Sequence, residues 1–175
     1  VSRIASGVVV TSDNIYSRFS RFQSNIATVG NYPILQIFDS INGHVTDNPA
    51  NKIVNGGGIS RDRAIHEIVS AFDMLPKELE AQLTVAGGYD SAGLLDEVSS
   101  LPGWTKVNYR GFIAMEEAVR ELFSASISLV IYAPGPNHED IRSNRLFESM
   151  AAGKPVITAN FPQWRTFIES IGCGL

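Results

Sequence analysis

Two carboxylates eight residues apart, Asp140 and Glu148, stand in the segment DIRSNRLFESMAAGKPVI, which runs from a polar loop into a short predicted helix at about Ser143 to Ala152. Near the start of such a helix, unpaired backbone N–H groups and the positive end of the dipole favour an anion, with Ser143 or Asn144 as candidate caps. The carboxylates themselves repel phosphate but accept hydrogen bonds from hydroxyls, so Glu148 suits a ribose and Asp140 a hexose. The bland alternative is a pair of solvated acids. A second cluster is Gly56-Gly57-Gly58 followed by Arg61 and Arg63. The glycines let backbone approach a ligand closely, and two arginines at a helix start oppose its dipole and call for an anion such as a diphosphate. Gly87-Gly88 ends the next strand, either as a plain terminator or as a lining for ligand. Gly111, Phe112 and Ile113 end the one after it, where Phe112 covers a nucleobase or packs in the core, and backbone at Ile113 can read a base edge.

Other chemistries fit poorly. A dinucleotide fingerprint would put its third glycine on Arg61 and a ribose-binding acid where Gly87-Gly88 stands. No G-x-S-x-G elbow is present, and no His/Cys cluster has metal-ligand spacing, so neither a dinucleotide cofactor nor a structural zinc site is expected.

The elements that must carry these residues alternate regularly after residue 52. Strands are predicted at Lys52–Asn55, Leu83–Ala86, Thr105–Tyr109, Ile127–Tyr132 and Val156–Ala159. Helices are predicted at Asp62–Met74, Ala92–Ser99, Met115–Ser124 and Gln163–Ile171, besides the one bearing Glu148. Near-continuous apolar strands alternating with amphipathic helices define an α/β fold, a doubly wound parallel sheet of about five strands. Ligands in such sheets bind beyond the carboxyl ends of the strands, where the glycine and arginine clusters fall. Upstream, residues 4–10 and Ile26–Val29 are predicted strands around a short helix capped by Ser12 or Asp13, and the polar stretch 39–51 is the candidate linker.

Composition limits the rest. A formal charge of −4 argues against nonspecific nucleic-acid binding. No apolar run has the length of a membrane span, and the single Cys173 fits a reducing compartment. The chain starts at Val1 and stops at Gly-Cys-Gly-Leu after a predicted helix, which suggests a fragment of a longer protein.

With these residues in view, Glu148-Ser-Met-Ala-Ala-Gly-Lys-Pro-Val-Ile resembles the motif of group 1 glycosyltransferases of the GT-B fold, where a Glu-x7-Glu pair precedes a Met-Ala-x-Gly-x-Pro-Val-Ile run. The loop Gly-Gly-Ile-Ser-Arg-Asp-Arg, the strand end Val-Ala-Gly-Gly, Tyr-Arg-Gly-Phe-Ile and the terminal Gly-Cys-Gly-Leu resemble further blocks in the same order, over roughly residues 50–175. The resemblance implies residues 1–38 as the closing segment of an N-terminal acceptor domain, 39–51 as linker, and 52–175 as a truncated Rossmann-like donor domain. It implies that Glu148 holds the ribose and Asp140 stands near the transferred sugar. Arg61 and Arg63, with Gly57, Gly58, Gly87, Gly88 and backbone at Ser143 and Asn144, would hold the diphosphate, and Gly111, Phe112 and Ile113 would border the base. The implied activity is transfer of a hexose, with retention and without a metal, from a nucleotide-diphosphate sugar to a glycan or lipid-linked acceptor in polysaccharide or glycolipid assembly. The acceptor would be met through the absent domain, so the fragment alone is expected to be inactive. The expected location is the cytoplasm or the inner face of the membrane, with membrane association only through missing parts. A GT-B sugar-nucleotide epimerase and a noncatalytic α/β interaction domain are the alternatives. Two departures from the pattern stand out: the first acid is Asp140 rather than Glu, one methylene shorter, and the usual Gly-Arg is Gly57-Gly58, so that Arg61 would have to substitute.

Overall fold

The computed structural model describes residues 4–45, 50–135, 138–139 and 143–175. Asp140, the first acid of the pair, therefore lies outside the described residues. The centre is a five-stranded parallel sheet: β3 (Lys52–Gly56), β4 (Gln82–Ala86), β5 (Val107–Gly111), β6 (Ile127–Val130) and β7 (Val156–Thr158), in the order β5-β4-β3-β6-β7. The order steps outward from β3 in both directions. Every carboxyl end thus falls on one rim, and the reversal point lies between β3 and β6. Upstream, β1 (Val8–Val10) and β2 (Ile26–Thr28) form a separate parallel pair around α1 (Asp13–Phe19). Ser12 caps α1 by accepting from the Ile15 backbone N–H at 3.4 Å.

Helices cover both faces. Ile65, Ile68, Val69 and Phe72 of α3 (Ile65–Met74), with Leu94 and Val98 of α4 (Ala92–Ser99), bury one face against Leu83 and Val85 of β4. Across the sheet, Val54 meets Val119 and Leu122 of α5 (Met115–Ser124) and Phe38 and Ile41 of α2 (Leu35–Ile41). Helix α2 runs into the first residues of the stretch predicted as linker, because Phe38 and Ile41 have this apolar surface to cover. A third cluster joins Val130 and Val156 to Leu146 of α6 (Asn144–Ala151) and to Phe161, Trp164 and Ile168 at α7 (Pro162–Ile171). Trp164, together with Phe167 against Phe147, is packing.

Helices α4 and α5 match their predicted bounds. The third helix does not: Arg61–Arg63 form a 3-10 turn, Ala64 turns left-handed with φ of 53°, and the α-helix starts only at Ile65. Likewise β5 starts at Val107, since Pro102–Lys106 is a 3-10 turn whose Gly103 lies against the Val69 carbonyl of α3. No helix among the described residues is long and apolar enough to cross a membrane.

Candidate functional site

Three strand ends converge on the rim. The loop after β3 is fastened to the end of β4 by Gly57 N–H to Ala86 O at 2.8 Å and Ile59 N–H to Gly88 O at 2.9 Å. Gly87 N–H in turn donates to Gly111 O at 2.8 Å on β5. A Cβ on Gly87 would sit 1.9 Å from the Gly57 carbonyl oxygen, so the first of the paired glycines is demanded by backbone approach. Strands β3, β4 and β5 thus deliver their loops as one stitched wall.

Against this wall opens a cleft of about 650 Å³. Gly57, Gly58, Gly87 and Gly88 line one side, Phe112 and Ile113 another, and Arg63 and Glu148 also reach it. Phe112 is 89% exposed, so of its two predicted roles the core one is excluded. Gly111, in left-handed conformation with φ of 65°, turns the chain that carries Phe112 out of the sheet. Met115, Tyr89 and Asp90 also border the cleft. Burial pushes the Tyr89 phenol up to about 12, and its ring stacks edge-on with Tyr109 at 5.2 Å.

The two arginines of the glycine cluster part company. A 3-10 turn advances about 120° per residue, so residues two apart point to different sides. Arg63 folds back over the loop and donates to Gly58 O at 2.5 Å. Arg61 faces α4 instead and pairs with both carboxylate oxygens of Glu97. It does not border the cleft, so this geometry does not give it the place of the absent loop arginine. The Arg61 guanidinium, first by its hydrogen bond, holds the Glu97 carboxyl below its ordinary value.

Helix α6 reaches the cleft through Glu148. Ser143 occupies the N-cap position but makes no capping bond. It is buried, and its hydroxyl meets the Tyr132 hydroxyl at 3.1 Å, which leaves the helix start without a side-chain cap among the described residues. Asn144 is exposed and donates to Glu148 Oε1 at 3.2 Å. Burial raises the Glu148 carboxyl above its ordinary value, and nearby Arg145 counteracts this in part. Ser149, one position on, is anchored to Ser128 of β6 at 2.8 Å, which fixes the rotation of α6 that turns Glu148 to the cleft.

Sequence reasoning missed Arg145. It reaches under the glycine loop, where Nη1 donates to Asn55 Oδ1 at 2.9 Å and to Gly56 O at 3.0 Å. The guanidinium also lies 5.0 Å from the centre of the Tyr132 ring, with Arg63 5.7 Å from the same ring. Burial works to raise the Tyr132 phenol, yet the two guanidiniums and the Ser143 hydrogen bond outweigh it and leave the phenol below its ordinary value. One signal was available: an arginine in the first turn opposes the helix dipole, the argument applied to Arg61 and Arg63. His138 lies with Nδ1 2.9 Å from Ala133 O and its ring 5.3 Å from that of Tyr132. A separate hollow of about 480 Å³ lies between the β1–β2 unit and α6–α7, bordered by Ser12, Asn31, Tyr32, Phe147 and Gln163.

A parallel doubly wound sheet with glycine loops, basic groups and a half-buried glutamate on its carboxyl rim is the Rossmann-like half of a GT-B glycosyltransferase fold. The sequence profile of the family described as glycosyl transferases group 1 matches residues 37–175, and the chain belongs to that family. Among solved structures it is similar to Anabaena Alr3699/HepE in complex with UDP, at 17% identity and TM-score 0.68, covering 99% of this chain and 50% of that one. It is also similar to WaaG, a glycosyltransferase involved in lipopolysaccharide biosynthesis, at 18% identity and TM-score 0.66, covering 95% and 48%. A third is the sucrose-phosphate synthase of Thermosynechococcus elongatus, at 20% identity and TM-score 0.57, covering 99% and 45%. The chain thus spans about half the length of these proteins. No curated protein sequence matches it significantly.

Proposed function

We propose that this chain is the donor-binding part of a hexosyltransferase that takes a nucleotide-diphosphate sugar and serves a glycan or lipid-linked acceptor. In this reading residues 52–175 are the donor domain, 39–51 the connection, and 1–38 the closing segment of an acceptor domain. One observation carries the reading: Arg63, the backbone at Phe112–Ile113 and Glu148 border a single cleft at the carboxyl ends of the strands. The base rests against Phe112 and the backbone of Gly111–Ile113, and the ribose hydroxyls donate to the Glu148 carboxylate. The diphosphate lies between Arg63 and the uncapped start of α6, near Asn144, with Gly57 and Gly58 admitting it close to backbone. Negative charge that develops on the leaving diphosphate meets a guanidinium and helix N–H groups already in place, so the reading routes no step through a metal. The known complex of Alr3699/HepE with UDP-glucose supports a donor of this class.

Calorimetry of the folded chain with UDP, GDP and ADP tests the proposal, with saturable binding of one of them expected. Arg63→Ala should then weaken it by about 1.5–3 kcal/mol, the range for a charged hydrogen bond. Silence for all three up to millimolar concentration would overturn the proposal.

A further inference from the structure

Arg145 is a charged group that neither the motifs nor the family resemblance assigns; it borders not the cleft itself but a small hollow of about 50 Å³ beside it, which shares Gly57 and Glu148 with the cleft. Among the described residues it forms no ion pair, and neither does Arg63, whereas Arg61, Arg110 and Lys52 are each answered by a glutamate. Its Nε and Nη2 are closed to solvent and have no hydrogen-bond partner among the described residues. Tyr132 and Glu148 act on it electrostatically, but neither forms an ion pair with it among the described residues; burying a guanidinium without such a pair is costly, so an anion brought by a ligand is the complement. The place is specific. Arg145 passes directly beneath the glycine loop, with its Cδ 3.1 Å from where a Cβ on Gly57 would stand, and Nη1 grips the end of β3. Gly58 is the position at which the resemblance expects the loop arginine, and Arg61 is committed to Glu97.

We propose that Arg145 is the second cation of the diphosphate subsite, supplied from α6 beneath the loop and acting with Arg63 on one anion across the Tyr132 ring. The proposal rests on the donor-binding reading above. It explains why the loop tolerates glycine at position 58: the missing positive charge arrives from a different element. It also ties two tasks to one side chain. The bonds from Nη1 to Asn55 and Gly56 set the height of the glycine loop, and the charge behind that loop favours the diphosphate over the nucleoside.

The test compares wild type, Arg145→Met and Arg145→Lys by calorimetry with UDP, GDP and ADP, and by nuclear magnetic resonance titration with the matching nucleoside. Arg145→Met should lose about 10–100-fold in affinity for the diphosphate, the scale of a charged contact, with nucleoside affinity within about twofold by the same reasoning. Arg145→Lys should recover part of the loss, which a purely structural role would not predict. Equal losses for diphosphate and nucleoside, or unchanged diphosphate affinity in a folded Arg145→Met, would overturn the role of Arg145 and leave the donor reading intact. Silence of the wild type for all three nucleotides would remove both. Should Arg145→Met fail to fold, arginine side-chain ¹⁵N spectra of the wild type decide with pyrophosphate as the probe. Both the Arg63 and Arg145 Nε–H signals should shift, and a shift of Arg63 alone would refute the proposal.

Discussion

Gly87→Ala perturbs the backbone seam that makes the cleft one wall, and the structure sets its cost. The new methyl would stand 1.9 Å from the Gly57 carbonyl oxygen and 2.6 Å from its carbon. Ordinary C···O contact is about 3.3 Å, so the glycine loop would have to retreat by roughly 1.4 Å. That retreat cannot preserve both Gly57 N–H to Ala86 O and Ile59 N–H to Gly88 O, now 2.8 and 2.9 Å. Each lost bond costs about 1 kcal/mol. Gly87 also has φ of 153°, and alanine there adds about 1–3 kcal/mol of strain. The expected loss is about 2–5 kcal/mol, a fall in Tm of roughly 5–20 °C for a chain of this size. Gly88→Ala is the matched control. A Cβ there meets nothing within 4 Å, and its cost should be within about 0.5 kcal/mol. Circular-dichroism melts of both variants decide. A Gly87→Ala protein that melts within about 2 °C of wild type, or a Gly88→Ala protein that falls as far, would refute the assignment of that seam to backbone approach.

Three further outcomes follow from the same geometry. Glu148→Gln should be more stable than wild type at neutral pH. The folded carboxyl titrates above its ordinary value because it is buried. Stability associated with the protonated form is therefore fully present below the unfolded value near 4.3 and lost as pH rises through the raised folded value. The two melting curves should converge as pH falls through that window, and a gap that stays constant would sink the burial argument. The same substitution should weaken nucleotide binding by about 1.5 kcal/mol or more, since the ribose loses a charged acceptor. Arg61→Ala should leave nucleotide affinity within about twofold while Arg63→Ala does not, because Arg61 spends its guanidinium on exposed Glu97. A loss for Arg61→Ala equal to that of Arg63→Ala would return Arg61 to the cleft.

Local pattern carried much of this protein into its sequence. The alternation of apolar strands with helices of 3.6-residue period specified the parallel sheet, because each helix must bury its own stripe: Val119 and Leu122 of α5, Leu94 and Val98 of α4. Glycines marked the strand ends, and Glu148 was legible because Leu146, Phe147, Met150 and Ala151 of the same helix are apolar at helical spacing and leave it a different side. Tertiary structure alone decided the directions of the charged groups. Arg61 and Arg63 look equivalent in sequence, yet a 3-10 turn with left-handed Ala64 sends one to Glu97 and the other over Gly58. Phe112 became a cleft wall rather than core because Gly111 turns the chain out at the sheet edge. Arg145 gains its meaning from Asn55, 90 residues earlier. Periodicity records what a residue owes to its own element, whereas the burial of a charge depends on which distant backbone closes over it, and that is fixed only when β3 and α6 meet.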